Sequence, residues 1–121
     1  MRLFILALSL LSLNAFATSI DQQVDAKMRE FVGSCERLAD QNNTMLDFTT
    51  RNTHVRHCLI SKHKTVLRST AANLTRRGAT NRLPGIAERI QEIDSNSYYY
   101  FIGIAKVKAN LRADLWGYYK N

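Results

Sequence analysis

The chain contains little proline and glycine, with one proline, Pro84, and five glycines among 121 residues. Flexible linkers and low-complexity segments are rich in such residues, so their scarcity excludes a linker between two domains. No internal repeat occurs, and no stretch after residue 13 is apolar over the roughly 20 residues that a membrane-spanning helix needs. We therefore expect one domain over residues 18–121.

Acidic residues are absent from Phe48 to Ala87, and this segment carries eight lysines and arginines. The net charge of +7 is therefore concentrated in the middle of the chain, between an acidic first part and a nearly balanced last part. A segment of this kind, if it folds as one element, makes a polarised molecule. Such a molecule suits an acidic protein, an anionic polymer or a lipid surface as its partner.

The common catalytic motifs are also absent: the sequence has no Cys-x-x-Cys, no phosphate-binding loop and no nucleophile elbow. Its three histidines, His54, His57 and His63, lie in the acid-free segment, where cations repel a metal ion and no carboxylate supports one. We expect solvated histidines, no metal site and no cofactor. A small basic nuclease, which would use two histidines and a lysine, is a less favoured alternative.

The amino terminus has the pattern of a cleavable signal peptide over residues 1–17. Arg2 precedes an apolar run at residues 3–13, and Ala-Phe-Ala at residues 15–17 supplies the small residues of a cleavage site. The run is too short for a membrane anchor, which needs about 20 residues. We predict export, to the periplasm or outside the cell, with Thr18 as the first mature residue.

The first mature segment repeats apolar residues at helical spacing. A capping box formed by Ser19 and Gln22 predicts the start of this helix, and its end is expected near Asp40. Its apolar stripe consists of Ile20, Val24, Met28, Phe31, Cys35 and Leu38.

A second helix is predicted from Thr50 to Arg77, with Lys64 and Arg68 on its solvated face and Gly78 as the left-handed residue that ends it. Two starts are compatible with the sequence: a late start after a non-helical or bent segment at residues 41–49, or an early start near Met45. Its buried face is expected to hold Val55, Leu59, Val66 and Leu74.

Pro84 suits the first turn of a further helix, whose apolar period continues from Ile86 to Tyr118. Side chains at residues 94–97 compete for backbone hydrogen bonds, which predicts a kink or gap there. No segment alternates with the period of a strand. The predicted fold is therefore all-α, with three to four antiparallel helices in a small bundle.

Cys35 and Cys58 are predicted to form one disulfide, because exported chains meet an oxidising compartment. The midpoint of the two positions falls inside residues 41–49, as an antiparallel hairpin with a late second helix requires. A helix that began near Met45 would displace Cys58 by about 13 Å at 1.5 Å per residue, which a disulfide cannot span. Two buried free thiols are the alternative.

Two aromatic clusters flank the last predicted helix, four consecutive rings at residues 98–101 and three rings within residues 116–119. One interpretation places Tyr100, Phe101 and Leu115 in the core and leaves the other rings half-buried. The other is an aromatic contact surface, because tyrosine and tryptophan are frequent in binding hot spots.

The favoured hypothesis is a small exported, non-enzymatic binding protein of the bacterial envelope, such as an inhibitor, an immunity-type protein or an accessory protein. It would dock an acidic protein through the basic helix. The alternative is a binder of an anionic polymer or surface: lipopolysaccharide, phospholipid headgroups or nucleic acid. The predicted partner-binding residues are Arg51, Arg56, Lys62, Lys64, Arg68, Arg76, Arg77, Tyr98, Tyr99, Tyr118 and Tyr119.

Overall fold

The computed structural model describes the backbone of residues 2–42 and 47–120 and the side chains of residues 19–41 and 47–120. These residues are predominantly helical and contain no strand, which confirms the all-α prediction. The side chains of the predicted signal peptide lie outside this description, so that hypothesis stays a prediction. The elements are α1 (Arg2–Asn42), α2 (Phe48–Arg76), a 3-10 turn (Thr80–Arg82), α3 (Leu83–Asp94), α4 (Asn96–Phe101) and α5 (Ile104–Lys120).

The start of α2 is late, as predicted. Asp47 is the N-cap, and its carboxylate accepts a hydrogen bond of 2.7 Å from the backbone N–H of Thr50. Gln41, which was predicted to be part of the loop, belongs to α1. Residues 43–46 of the predicted loop lie outside the residues that the structure describes. The helix ends before Gly78, which has the φ of 75° that the left-handed position requires.

The disulfide between Cys35 and Cys58 is present, with 5.6 Å between the two Cα atoms. It joins α1 to α2 near their connection. Closer to the connection than the disulfide, the Nε of Arg51 donates a hydrogen bond of 2.7 Å to Asp40 Oδ1. Both contacts pair residues equidistant from the connection, so α1 and α2 run antiparallel.

In the full chain α1 is continuous from Arg2, whereas the start at Ser19 was predicted for the chain after cleavage and stays a prediction. The preceding helical turns supply hydrogen-bond acceptors to the amides around Ser19, so no cap is needed there. The apolar stripe also changes at its end: Ala39 is buried, whereas Leu38 is 46% exposed. A step of four residues from Cys35, rather than three, keeps the stripe facing the core.

The third predicted segment is divided twice. Pro84 lies in the first turn of α3, and Ser95 caps α4 by accepting a hydrogen bond of 3.2 Å from the backbone N–H of Tyr98, as the sequence indicated for this region. The second interruption, at Ile102 and Gly103, was not predicted. The carbonyl of Gly103 accepts the first hydrogen bonds of α5, so the chain restarts a helix after it.

The helices form a small bundle in which α2 and α5 lie side by side and run in the same direction. Thr49 and Ile104, near their starts, line one depression, and Ser69 and Leu115 line another further along. Helices α1 and α3 flank this pair and run in the opposite direction. The side chains at the centre are fully buried: Val24, Val55, Leu59, Val107, Leu111 and Leu115. No helix in the described residues is both long enough and apolar enough to cross a bilayer.

Candidate functional site

Basic side chains on both edges of α2 form ion pairs with acidic side chains on neighbouring helices. Arg51 pairs with Asp40 on α1, and the Nζ of Lys64 lies 2.8 Å from Asp94 Oδ1 on α3. The hydrogen bond from Arg51 lowers the pKa of the Asp40 carboxyl, so this partner stays ionised. Acids distant in sequence therefore offset charge that appeared unopposed within the segment 48–87.

The remaining predicted bases of the first six turns of α2 have different environments. Arg56 donates a hydrogen bond to the backbone carbonyl of Tyr99, and the Nζ of Lys62 lies 5.3 Å from the centre of the Phe31 ring. Arg68 is exposed on the outer side of α2. The predicted cations thus do not form one continuous basic face, because those at the edges turn toward the flanking helices.

Arg76 and Arg77 stand at the carboxyl end of α2, far along the helix from the bases near its start. Arg76 donates a hydrogen bond to the side-chain oxygen of Asn73, and Arg77 is the C-cap residue. Arg82 follows in the 3-10 turn. These three arginines give the carboxyl end of α2 a positive charge, which suits the helix dipole.

The predicted contact tyrosines are divided between two regions. Tyr98 is only 8% exposed, and its hydroxyl accepts a hydrogen bond of 3.1 Å from Asn110, so this ring belongs to the core. Tyr118 and Tyr119 are half-buried at the end of α5 and line a groove of about 150 Å³ with Phe31. The sequence-predicted Lys62, which lies over Phe31, is therefore brought near Tyr118 and Tyr119.

The expectation that Tyr100 and Phe101 belong to the core is wrong, because they are 61% and 84% exposed. Leu115, the third residue of that set, is buried as expected. The helical restart at Ser95 shifts the phase of the apolar pattern, so Tyr98 turns inward and the two following aromatics turn outward.

Phe101, Tyr100 and Phe48 form what we call the aromatic end surface, at the end of the bundle where α2 and α5 begin. Phe48 is 78% exposed and lines a depression of about 220 Å³ together with Ile102. Ile102 also borders the adjoining depression beside Phe101. Tyr100 meets Tyr99 edge to face, with 5.1 Å between ring centres. Phe48 and Phe101 thus border two depressions that share Ile102, and Tyr100 precedes Phe101 on α4.

The base of this surface is held by Tyr99, which is half-buried. Its ring stacks on His57 with the centres 4.0 Å apart, and its carbonyl accepts the bond from Arg56. Burial, and then the charge of Arg56, lower the pKa of His57. A neutral imidazole therefore supports the tyrosine ring at neutral pH, and α4 is fixed to α2.

The expectation that the histidines are solvated is wrong for His63, which is fully buried. Its Nε2 lies 2.5 Å from Asp114 Oδ2 on α5. Arg89 on α3 donates to the same oxygen from Nε at 3.0 Å and from a terminal nitrogen at 2.6 Å. One carboxylate oxygen thus joins three helices, in what we call the Asp114 cluster.

The protonation of the Asp114 cluster follows from these contacts. Burial raises the pKa of Asp114, but the hydrogen bonds from His63 and Arg89 outweigh it, and the pKa is lowered overall. An ionised carboxylate accepts hydrogen bonds, so the Nε2 of His63 carries a proton. The Nδ1 of His63 is buried without a partner in the described structure.

Comparison of the chain with protein-family models, with characterised proteins and with solved structures finds no match. The described residues also contain no group of three or more histidine, cysteine or carboxylate side chains placed to hold a metal ion. The geometry of the chain's own residues therefore carries the functional argument.

Sequence periodicity gives no correct environment for three of these functional candidates. Phe48 precedes Val55 by seven residues and so shares its side of α2, yet it is exposed because it is the first residue of the helix, at the end of the bundle. Asp114 and Arg89 resemble ordinary surface charges in the sequence. Only the packing of α3 and α5 against α2 brings them to His63.

Proposed function

We propose that this chain is a small exported, non-enzymatic binding protein that docks an acidic protein through the aromatic end surface. The observation that carries the proposal is the exposure of Phe48, Tyr100 and Phe101, by 61–84%, on a bundle whose other described large apolar side chains, apart from Leu38, are buried or half-buried.

Exposed aromatic side chains in one place favour a protein partner. Burying an aromatic side chain contributes about 1.5–3 kcal/mol or more, and this gain is not used inside the bundle. Contiguous apolar patches on soluble proteins mark interaction sites, and aromatic residues are enriched at the centres of such interfaces. The stacking of Tyr99 on His57 fixes the backbone below Tyr100 and Phe101, which reduces the entropy lost on docking.

Charge supports an acidic partner. The depression between Phe48 and Ile102 is lined by one charged side chain, Arg56, whereas Glu92 lines the adjoining depression beside Phe101. The whole chain carries +7. A partner with acidic groups around an apolar centre would associate faster, since opposite potentials steer the encounter.

Export to the bacterial envelope is part of the same proposal. The disulfide between Cys35 and Cys58 agrees with an oxidising compartment such as the periplasm, because thiols stay reduced in the cytosol. An inhibitor, an immunity-type protein or an accessory protein would all use one docking surface and no catalytic centre.

The proposal is tested by site-specific photo-crosslinking in the native envelope. A crosslinking residue replaces Phe101 in one variant and the exposed Ala72, on the outer side of α2, in the other. We expect one crosslinked acidic protein from position 101 and none from position 72. Equal products at both positions, or a basic partner, would contradict the proposal.

Affinity for the partner so identified then separates the aromatic and basic contributions. Phe101→Ser should weaken binding by at least about 2 kcal/mol, the size of a hot-spot loss, while stability changes by less than about 0.5 kcal/mol. Arg68→Glu is the matched charge reversal, because Lys64 is already paired with Asp94. It should act chiefly by lowering the association rate.

A second candidate function, binding to an anionic polymer or surface, is favoured by Arg76, Arg77 and Arg82. These arginines follow one another within seven residues with no acid between them. Binding of this kind falls steeply with salt because counterions are released. Loss of binding between low and physiological salt would favour the polymer, whereas salt-resistant binding to the crosslinked protein would favour docking.

A further inference from the structure

A cleft of about 310 Å³ opens between α2, α3 and α5, toward the end of α2 that is remote from the aromatic end surface. We call it the α2–α3–α5 cleft. Its apolar wall consists of Leu67 and Leu74 on α2 and Ile86 on α3. Arg89 and Asp114 lie on its polar side. Its size is at the lower limit of ligand pockets, which begin at about 300 Å³.

The guanidinium of Arg89 is oriented in this cleft by the Asp114 cluster. Its Nε and one terminal nitrogen bond the same oxygen of Asp114, and His63 holds that oxygen from the interior. The other terminal nitrogen of Arg89 takes no part in these bonds, and the Arg89 side chain is 42% exposed. A fixed guanidinium with unused N–H groups is suited to bind a carboxylate or phosphate.

Charge at the cleft agrees with an anionic ligand. Arg82 and Arg89 both line it, against the single carboxylate of Asp114. The hydrogen bonds from His63 and Arg89 lower the pKa of Asp114, which keeps Arg89 in place at neutral pH. The positive charge therefore exceeds the negative charge around an apolar wall.

Two helix glycines line the cleft. Gly85 on α3 and Gly117 on α5 both line it, and neither has a positive φ. A Cβ added at either position would meet nothing within 4 Å. Glycine destabilises a helix relative to alanine, and here neither backbone conformation nor close packing requires it.

From these observations we infer that the α2–α3–α5 cleft binds a small amphiphile with one anionic head group, a carboxylate or a phosphate, and a short aliphatic chain. Arg89 binds the head group, and the chain lies against Leu67, Leu74 and Ile86. The inference is independent of the docking proposal, because it uses none of the residues of the aromatic end surface.

The test is a titration of the purified protein with sodium octanoate, with octyl phosphate and with the uncharged 1-octanol, followed by two-dimensional NMR. Glycine amides and the arginine Nε–H are well separated in such spectra. We expect saturable shifts at Gly85, Gly117 and Arg89 Nε with a dissociation constant of about 1 mM or less. Octanol should bind about tenfold more weakly, and the tighter of the two anions identifies the head group.

Two leucine substitutions, one inside the cleft and one outside it, distinguish loss of the binding site from loss of the fold. Gly117→Leu should abolish the shifts at Gly85 while the rest of the spectrum keeps its dispersion. Gly33→Leu, a matched helix glycine on α1 beside only the flexible end of Arg37, should bind like the wild type. Arg89→Lys should weaken octanoate about tenfold and leave octanol unchanged.

Three results would overturn the inference: octanol binding as tightly as octanoate, unchanged octanoate binding by Gly117→Leu, or saturable shifts centred on Gly103 at the aromatic end surface. Absence of binding by both anions would overturn it as well. None of these results bears on the crosslinking at Phe101, so the two proposals fail separately.

Discussion

Removal of the carboxylate in Asp114→Ala should cost far more stability than loss of an ordinary surface acid. His63 is fully buried and donates to Asp114, so the substitution leaves a buried N–H without a partner. An unsatisfied buried group costs about 1–3 kcal/mol, and breaking a buried pair costs about 3–5 kcal/mol. Arg89 is 42% exposed and regains water, so its share is small.

We therefore expect Asp114→Ala to lower the free energy of unfolding by about 2–4 kcal/mol. For a domain of this size such a loss lowers the melting temperature by about 10 °C or more. Urea denaturation followed by circular dichroism measures the loss. His63→Leu is the contrasting variant: it removes both ring nitrogens, keeps a similar volume and leaves Asp114 paired with Arg89. Its cost should be smaller than that of Asp114→Ala, because Arg89 still pairs with the remaining carboxylate.

The pH dependence gives a second measure of the same contact. The folded pKa of Asp114 is lowered, so its contribution is fully present above the ordinary value of 3.8 and is lost as pH falls through the folded pKa. The stability difference between wild type and Asp114→Asn should therefore persist at about pH 5 and shrink only in stronger acid. Equal losses for Asp114→Ala and His63→Leu, or a difference that disappears between neutral pH and about pH 5, would refute this account.

Amino-terminal sequencing of the exported protein should give Thr18, and an intact amino terminus would rule out the signal peptide. Cys35→Ser should lower the free energy of unfolding by about 3 kcal/mol relative to the oxidised wild type, because the disulfide closes a loop of 23 residues. Denaturation of both proteins measures the difference, and thiols that titrate in the folded, unreduced wild type would contradict the bridge. Lys64→Ala should cost less than about 1 kcal/mol, because Asp94 is 49% exposed and screened by water. A larger thermal shift for Lys64→Ala would mean that this pair is more than a surface contact.

Local sequence determined the helical class of this protein and most of its helix boundaries. Asp47 accepts the Thr50 amide, Pro84 lies in a first turn, and Gly78 has positive φ because each of these side chains, or its absence, acts on the backbone within a few residues. The disulfide was also predictable, since the positions of Cys35 and Cys58 about a short connection constrain how a hairpin can close.

In the third predicted segment, the side chains that face the core were predictable only up to the first break in the helix, at Ser95. The helix restarts at Ser95, and the interruption at Ile102 and Gly103 follows seven residues later, so a period carried across them assigned Tyr100 and Phe101 to the core. A cap sets a new rotation for the residues that follow it. Local signals announce that a break occurs, but the rotation across it depends on how the two helices pack.

Only the tertiary structure decided what the charged residues do. Arg51 and Lys64 looked like parts of one basic face, but Asp40 and Asp94 reach them from other helices. Likewise, nothing near His63 in sequence indicates a partner, and Asp114 stands 51 positions away. Electrostatic energy depends on distance in space and on burial, and neither is set until the helices pack. Sequence thus determined the elements of this protein, and packing determined its sites.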